Sequence, residues 1–133
     1  MSFKKIILCV MVLVAGYSLA SASELVMREA INYYNEGVAA QMIRHFPEAY
    51  TAYEKALLIG PYGGFLKKYL HNNLGGIFYE IGDMEKAEYN FVEALKVDPQ
   101  YEHARLNLGL VFDKTKDRVS SLEFWTDIFS LES

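Results

Sequence analysis

The sequence predicts an all-α chain made of three stacked helical hairpins, and three observations carry that prediction. Apolar residues recur at helical spacing, and no run alternates polar with apolar β-formers. Small and aromatic residues return at fixed offsets along the chain. Helix-stopping and helix-starting residues, Gly82-Asp83 and Asp98-Pro99 among them, fall at the seams between those returns.

The offsets define the units. Ala49, Ala56 and Pro61 are spaced by 7 and 5, as are Ala87, Ala94 and Pro99. Gly37, Gly75 and Gly109 each stand 12 residues before Ala49, Ala87 and Ser121. An asparagine (Asn35, Asn73, Asn107) lies two before each glycine, and an aromatic (Tyr53, Phe91, Trp125) four after each small residue. Repeats therefore cover about residues 30–63, 68–101 and 102–133. The extra four residues of the first step fall in the Gly-rich connection from Gly60 to Leu66.

Each element follows from its residues. The first unit offers a helix from about Glu24 to Ile43, a turn at Arg44 to Phe46, and a second helix opened by Pro47 and ending near Ile59. In the central unit Leu70, Leu74, Ile77, Phe78 and Ile81 mark a helix over 69–81. Gly82 stops it, Asp83 caps the next helix, and that helix runs from Met84 to about Val97 until Asp98-Pro99 closes it. The third unit predicts a helix from Tyr101 to Asp113, a turn at 114–116 and a last helix from Asp117 to about Ser130. Gly75 opposite Ala87 is expected to let the two helices of the central hairpin approach closely.

The N-terminus combines Lys4 and Lys5, an apolar run from Ile6 to Ala15, and the small residues Ser18 to Ser23. Ala20-Ser21-Ala22 fits an A-x-A cleavage pattern, so residues 1–22 are expected to be a signal peptide and residues 23–133 the folded domain. The alternative is a retained anchor, since Ile6 to Ser23 is 18 residues without a charge. Both readings lead to an exported protein, periplasmic or secreted. Cys9, the lone cysteine, lies inside the apolar run, so the domain is expected to contain neither disulfide nor thiol chemistry.

With 52% hydrophobic and 14% aromatic residues, 133 residues suffice for a packed core. Losing residues 1–22 would remove Lys4, Lys5 and no acid from 13 basic and 17 acidic residues, deepening the formal charge from −4 to −6. An acidic chain has no electrostatic footprint for phosphate backbones, which argues against nucleic-acid binding.

These residues resemble tetratricopeptide repeats, 34-residue helix-turn-helix units with the pattern W-x2-L-G-x2-Y, A-x3-F, P. The central unit matches at Leu74-Gly75, Ala87, Phe91 and Pro99, with His71 and Phe78 as departures. The third matches at Leu108-Gly109, Phe112, Ser121 and Trp125, with Arg105 in the tryptophan place and no terminal proline. The first matches at Gly37, Ala49, Tyr53, Ala56 and Pro61 and departs at Glu36 and Ala40. The resemblance implies a right-handed stack whose first helices line a concave groove for a peptide or protein. On this sequence the implied groove candidates are Tyr34, Gln41, Tyr69, Asn72, Asn73, Tyr79, His103, Leu106, Asn107 and Leu110. Members that dock chaperone tails hold a carboxylate with lysine, asparagine and arginine. Only Asn73 fits here, while Tyr34, Val38, His103 and Asn107 occupy the other places, so that clamp is absent.

No metalloprotease H-E-x-x-H, triad order or phosphate-cradling loop occurs, and His45, His71 and His103 fall at positions that should not converge. No catalytic residue, metal or cofactor is expected. The last predicted helix carries Leu122, Phe124, Trp125, Ile128 and Phe129 where a repeat array calls for a polar cap. Leu122, Trp125 and Phe129 are therefore candidates for docking a partner or a second copy. The expected function is an adaptor that binds a peptide or protein in its groove. The alternative is an assembly factor of an envelope secretion or pilus apparatus that works by oligomerising.

Overall fold

The computed structural model describes residues 3–59 and 64–115. Five helices follow one another: α1 (Phe3–Met42), α2 (Phe46–Leu58), α3 (Lys67–Ile81), α4 (Met84–Val97) and α5 (Glu102–Thr115). Among the described residues there is no strand. α1 packs along α2 and α3 along α4 as two hairpins, and α5 lies against α4 and α3 as the first helix of the third unit. The sixth helix expected from Asp117, with Leu122, Trp125 and Phe129, falls outside the described residues.

α1 is the largest departure from expectation. It was expected near Glu24 and instead runs unbroken through Ala20-Ser21-Ala22 from Phe3, over 40 residues. The intervening sequence has no proline, and Gly16 alone among its residues carries a strong helix penalty, so nothing terminates the helix. The run from Ile6 to Val14 is exposed, with Leu13 at 71%. By length and composition α1 could cross a membrane, a property that leader sequences share.

Local signals explain the remaining ends. Pro47 and Glu48 sit in the first turn of α2 and Lys55 in its last, each suited to its end of the helix dipole. Asp83 caps α4 by accepting from the Lys86 amide at 3.1 Å. Asp98 ends α4 in an extended conformation before Pro99, and its side chain then accepts the Gln100 amide at 3.0 Å. The two intra-hairpin turns share one geometry. Gly82 has φ +88°, and the next amide, Asp83, returns to Phe78 O at 2.9 Å. At the equivalent place Arg44 has φ +61°, with the His45 amide returning to Ala40 O at 2.9 Å. A residue with a Cβ thus occupies a left-handed position that normally selects glycine.

The hairpins close on glycine–aromatic contacts. A Cβ at Gly75 would lie 2.6 Å from Cε1 of Phe91, and one at Gly37 would run into the Tyr53 ring. The expected partner of Gly75 was Ala87. The ring of Phe91, one turn further along α4, fills the crossing instead, while Ala87 is buried beside it. Tyr53, Leu70, Leu74 and Ile77 form the core between the first two units, and Phe91, Leu108 and Val111 continue it toward the third.

A candidate peptide-binding groove

The same periodicity that buries one face of each first helix turns the next face away from the second helices. That face of α1, α3 and α5 carries the groove candidates. One cavity of about 220 Å³ crosses all three helices there, lined by Gln41 of α1, Gly76, Tyr79 and Glu80 of α3, and Asn107 and Leu110 of α5, with buried Phe91 behind. Gly76 keeps it open, since the nearest atom to a Cβ there is Gln41 Nε2 at 3.5 Å.

Most of the polar candidates are already engaged with one another. Asn107 Nδ2 donates to Asn72 Oδ1 at 3.0 Å, and Asn72 Nδ2 reaches Asn73 Oδ1 at a long 3.5 Å. Asn73 Nδ2 donates to the Tyr53 hydroxyl at 3.1 Å, and that hydroxyl donates to Gln41 Oε1 at 2.7 Å. The bonds form one directed chain from the third unit to the first. Asn73 is therefore a bracket between hairpins, and Asn72 and Asn107 tie α3 to α5.

Tyr53 is the residue that sequence reading missed, having been placed only as a packing aromatic. Its ring is buried against Gly37 and its hydroxyl joins two units. Burial pushes its phenol up to about 12, partly offset by the bond from Asn73 and reinforced by nearby Tyr34. The signal was available in the pattern, since Tyr53 stands where the other units carry Phe91 and Trp125, and only tyrosine brings a hydroxyl.

Of the aromatic candidates Tyr79 lines the cavity, and the others pack against rings of neighbouring elements. Tyr34 leans on Tyr53 with centroids 6.1 Å apart, Tyr69 meets Tyr101 edge-on at 5.4 Å, and Tyr101 meets His103 at 5.6 Å. Tyr101, also missed, joins the second and third units. Burial raises its phenol, with Tyr34 and then Tyr69 adding to the shift. Lys68 lies over the Tyr69 and Tyr101 rings at 5.1 and 5.2 Å and is held by Asp98 at 2.6 Å. Tyr79 is half-buried beneath the Lys114 ammonium, 4.5 Å from its centroid. Leu106 and Leu110 are about half exposed, at 49% and 50%.

The three histidines have different surroundings. His45 is exposed at the start of α2 and makes no cap, His71 pairs with buried Asn90 through Nδ1 at 3.1 Å, and His103 rests on Tyr101. Among the described residues no three His, Cys, Asp or Glu side chains form a group that could hold a metal.

Comparison with known proteins bears on the fold and on location. No protein-family model matches the chain. The photosystem I assembly protein Ycf3 of Acaryochloris marina is 33% identical over 84 residues, 63% of this chain and 50% of that protein. Its Prochlorococcus marinus counterpart is 33% identical over 91 residues, 65% of this chain and again 50% of that protein. The chain thus spans about half the length of the curated relatives it matches. The expected exported, periplasmic or secreted location is corrected by these relatives, whose named task is the assembly of photosystem I. Among solved structures the Arabidopsis OM64 TPR domain superposes with a TM-score of 0.69 at 19% identity, covering 80% of this chain and 85% of that domain. Repeat register, hairpin packing and this superposition together show that the chain has a tetratricopeptide-repeat fold.

Proposed function

We propose that the chain is a protein-interaction module that holds an extended segment of a partner protein on the face formed by α1, α3 and α5, and that it serves the assembly of a multi-subunit complex. The observation that carries the reading is the cavity shared by three helices of three units, with Tyr79 and Leu110 as apolar walls and amides beside them. A side chain and the backbone that bears it suit such a site. The assembly role is supported by the relatives named as assembly proteins.

Affinity capture from the native host with Tyr34→Ala, Tyr69→Ala and Tyr79→Ala tests it. Loss of one discrete partner by these variants, with melting and helicity retained, supports the groove. Retention of that partner by all three removes it.

A second reading, assembly through a second copy of the chain, is favoured by the apolar sequence around Leu122, Trp125 and Phe129. Light scattering of the parent and of Phe129→Asp separates the two: a dimer that becomes monomeric supports it, and a parent monomer ends it. Residues 1–22 are a segment apart from the repeats, bounded at Ala22. A purified chain beginning at Ser23 supports that boundary, whereas an intact N-terminus contradicts it.

A further inference from the structure

The groove bonds run in one direction, and that direction leaves two defined ends. At each step from Asn107 through Asn72, Asn73 and Tyr53 to Gln41 an N–H or O–H donates onward. The first member keeps an unused acceptor, Asn107 Oδ1, and the last keeps an unused donor, Gln41 Nε2, neither with a protein partner among the described residues. Both residues line the one cavity over Gly76. A half-buried chain of amides and one hydroxyl therefore fixes the orientation of a donor and an acceptor that face a shared space.

We propose that this cavity takes a single residue of an extended peptide, a proposal that rests on the groove reading above. An extended residue presents its own C=O and N–H on one side, so the carbonyl accepts from Gln41 Nε2 while the N–H donates to Asn107 Oδ1. Its side chain enters over Gly76 between Tyr79 and Leu110. The cavity of about 220 Å³, with Tyr79, Phe91 and Leu110 as its apolar walls, selects an unbranched or γ-branched apolar side chain, methionine or leucine. Glu80 at the rim disfavours an acidic one. Tyr53 is a positioning residue, because its hydroxyl holds Gln41 by Oε1 and so turns Nε2 toward the cavity. The ligand closes the chain of hydrogen bonds into a ring.

The probe is a set of acetylated, amidated octapeptides of alanine and serine with one varied central residue, titrated into the full chain and followed by the amide resonances of Gly76 and the side-chain NH2 of Gln41. Leucine- or methionine-centred peptides are expected to bind at least about tenfold more tightly than the aspartate-centred one. N-methylation of the central residue is expected to weaken binding by about tenfold in the parent and to have no further effect in Asn107→Leu, the loss of one desolvated hydrogen bond. Gly76→Leu, which meets no obstacle at Cβ and should fold, fills the space and abolishes the preference.

Peptides that bind Gly76→Leu and Gln41→Met as tightly as the parent, yet are lost on Tyr69→Ala, overturn the cavity proposal and leave the groove reading standing. No binding of any peptide at millimolar concentration overturns both. Normal preference in Tyr53→Phe removes the positioning role.

Discussion

Tyr53 does two jobs with one side chain, and each can be removed separately. Its ring seals the first hairpin against Gly37, and its hydroxyl links Asn73 to Gln41. Tyr53→Phe keeps the ring and should cost about 0.5 to 1.5 kcal/mol in a denaturant melt, the usual net worth of a hydrogen bond. The raised phenol also has a pH consequence. A group whose folded value lies above its unfolded one stabilises the fold fully below the unfolded value, near 10, and that stability is lost as the pH climbs toward about 12. The parent should therefore show an alkaline loss of stability between those limits that is reduced in Tyr53→Phe. Identical alkaline melts of the two would contradict the placement of the hydroxyl. Gly75 has a simpler role, since a side chain there meets the Phe91 ring. Gly75→Leu should cost about 1 to 3 kcal/mol by overpacking, lowering the melting temperature by several degrees. A melt matching the parent would refute the crossing.

Between elements, the two intra-hairpin turns are a natural comparison. Gly82 meets the left-handed conformation without strain, and Arg44 adopts the same conformation with a Cβ. In return Arg44 lies 3.2 Å from exposed Glu80 and 5.1 Å above the partly buried Phe46 ring, contacts of small worth. Arg44→Gly is expected to raise stability by up to about 1 kcal/mol, read as an upward shift of the thermal midpoint; a fall would show that the Glu80 and Phe46 contacts outweigh the backbone strain. The ends of the central hairpin are fastened by Lys68 and Asp98. The ammonium of Lys68, and then the Gln100 amide, hold the Asp98 carboxyl below its ordinary range. That contribution is complete above the ordinary aspartate value and is lost as the pH falls through the depressed one, so acid should erode the melting temperature more in the parent than in Asp98→Asn.

At this scale the sequence was most legible. The boundaries of α3 and α4 follow from Gly82, Asp83 and Asp98-Pro99 because those residues act locally through φ, caps and the missing proline N–H. The start of α1 was not legible, because a cleavage pattern describes recognition by a peptidase and carries no helix-stopping chemistry. Gly75 was placed correctly at a crossing but given Ala87 as its partner, since spacing locates a close approach without saying which side chain fills it.

Across the whole molecule, three units matter because each contributes one wall of a shared face. The candidate face came from the resemblance placed on the repeat register, and four of its residues, Gln41, Tyr79, Asn107 and Leu110, line one cavity. Which of its polar groups were already engaged was not legible, because the bonds of Asn73 to Tyr53 and of Asn107 to Asn72 join residues 20 and 35 positions apart in different helices. Location was not legible either. The leader-like residues are local, whereas the overturning finding came from relatives named for photosystem I assembly.

The most direct test of the account is site-specific photo-crosslinking in the native host, with a benzophenone side chain placed on either face. Leu106 and Leu110 carry it on the groove face, and Tyr89 and Lys96, both exposed, carry it on α4. One discrete cross-linked protein is expected from Leu106 and Leu110 and none from Tyr89 or Lys96. The same product from all four positions, or from α4 alone, would contradict it.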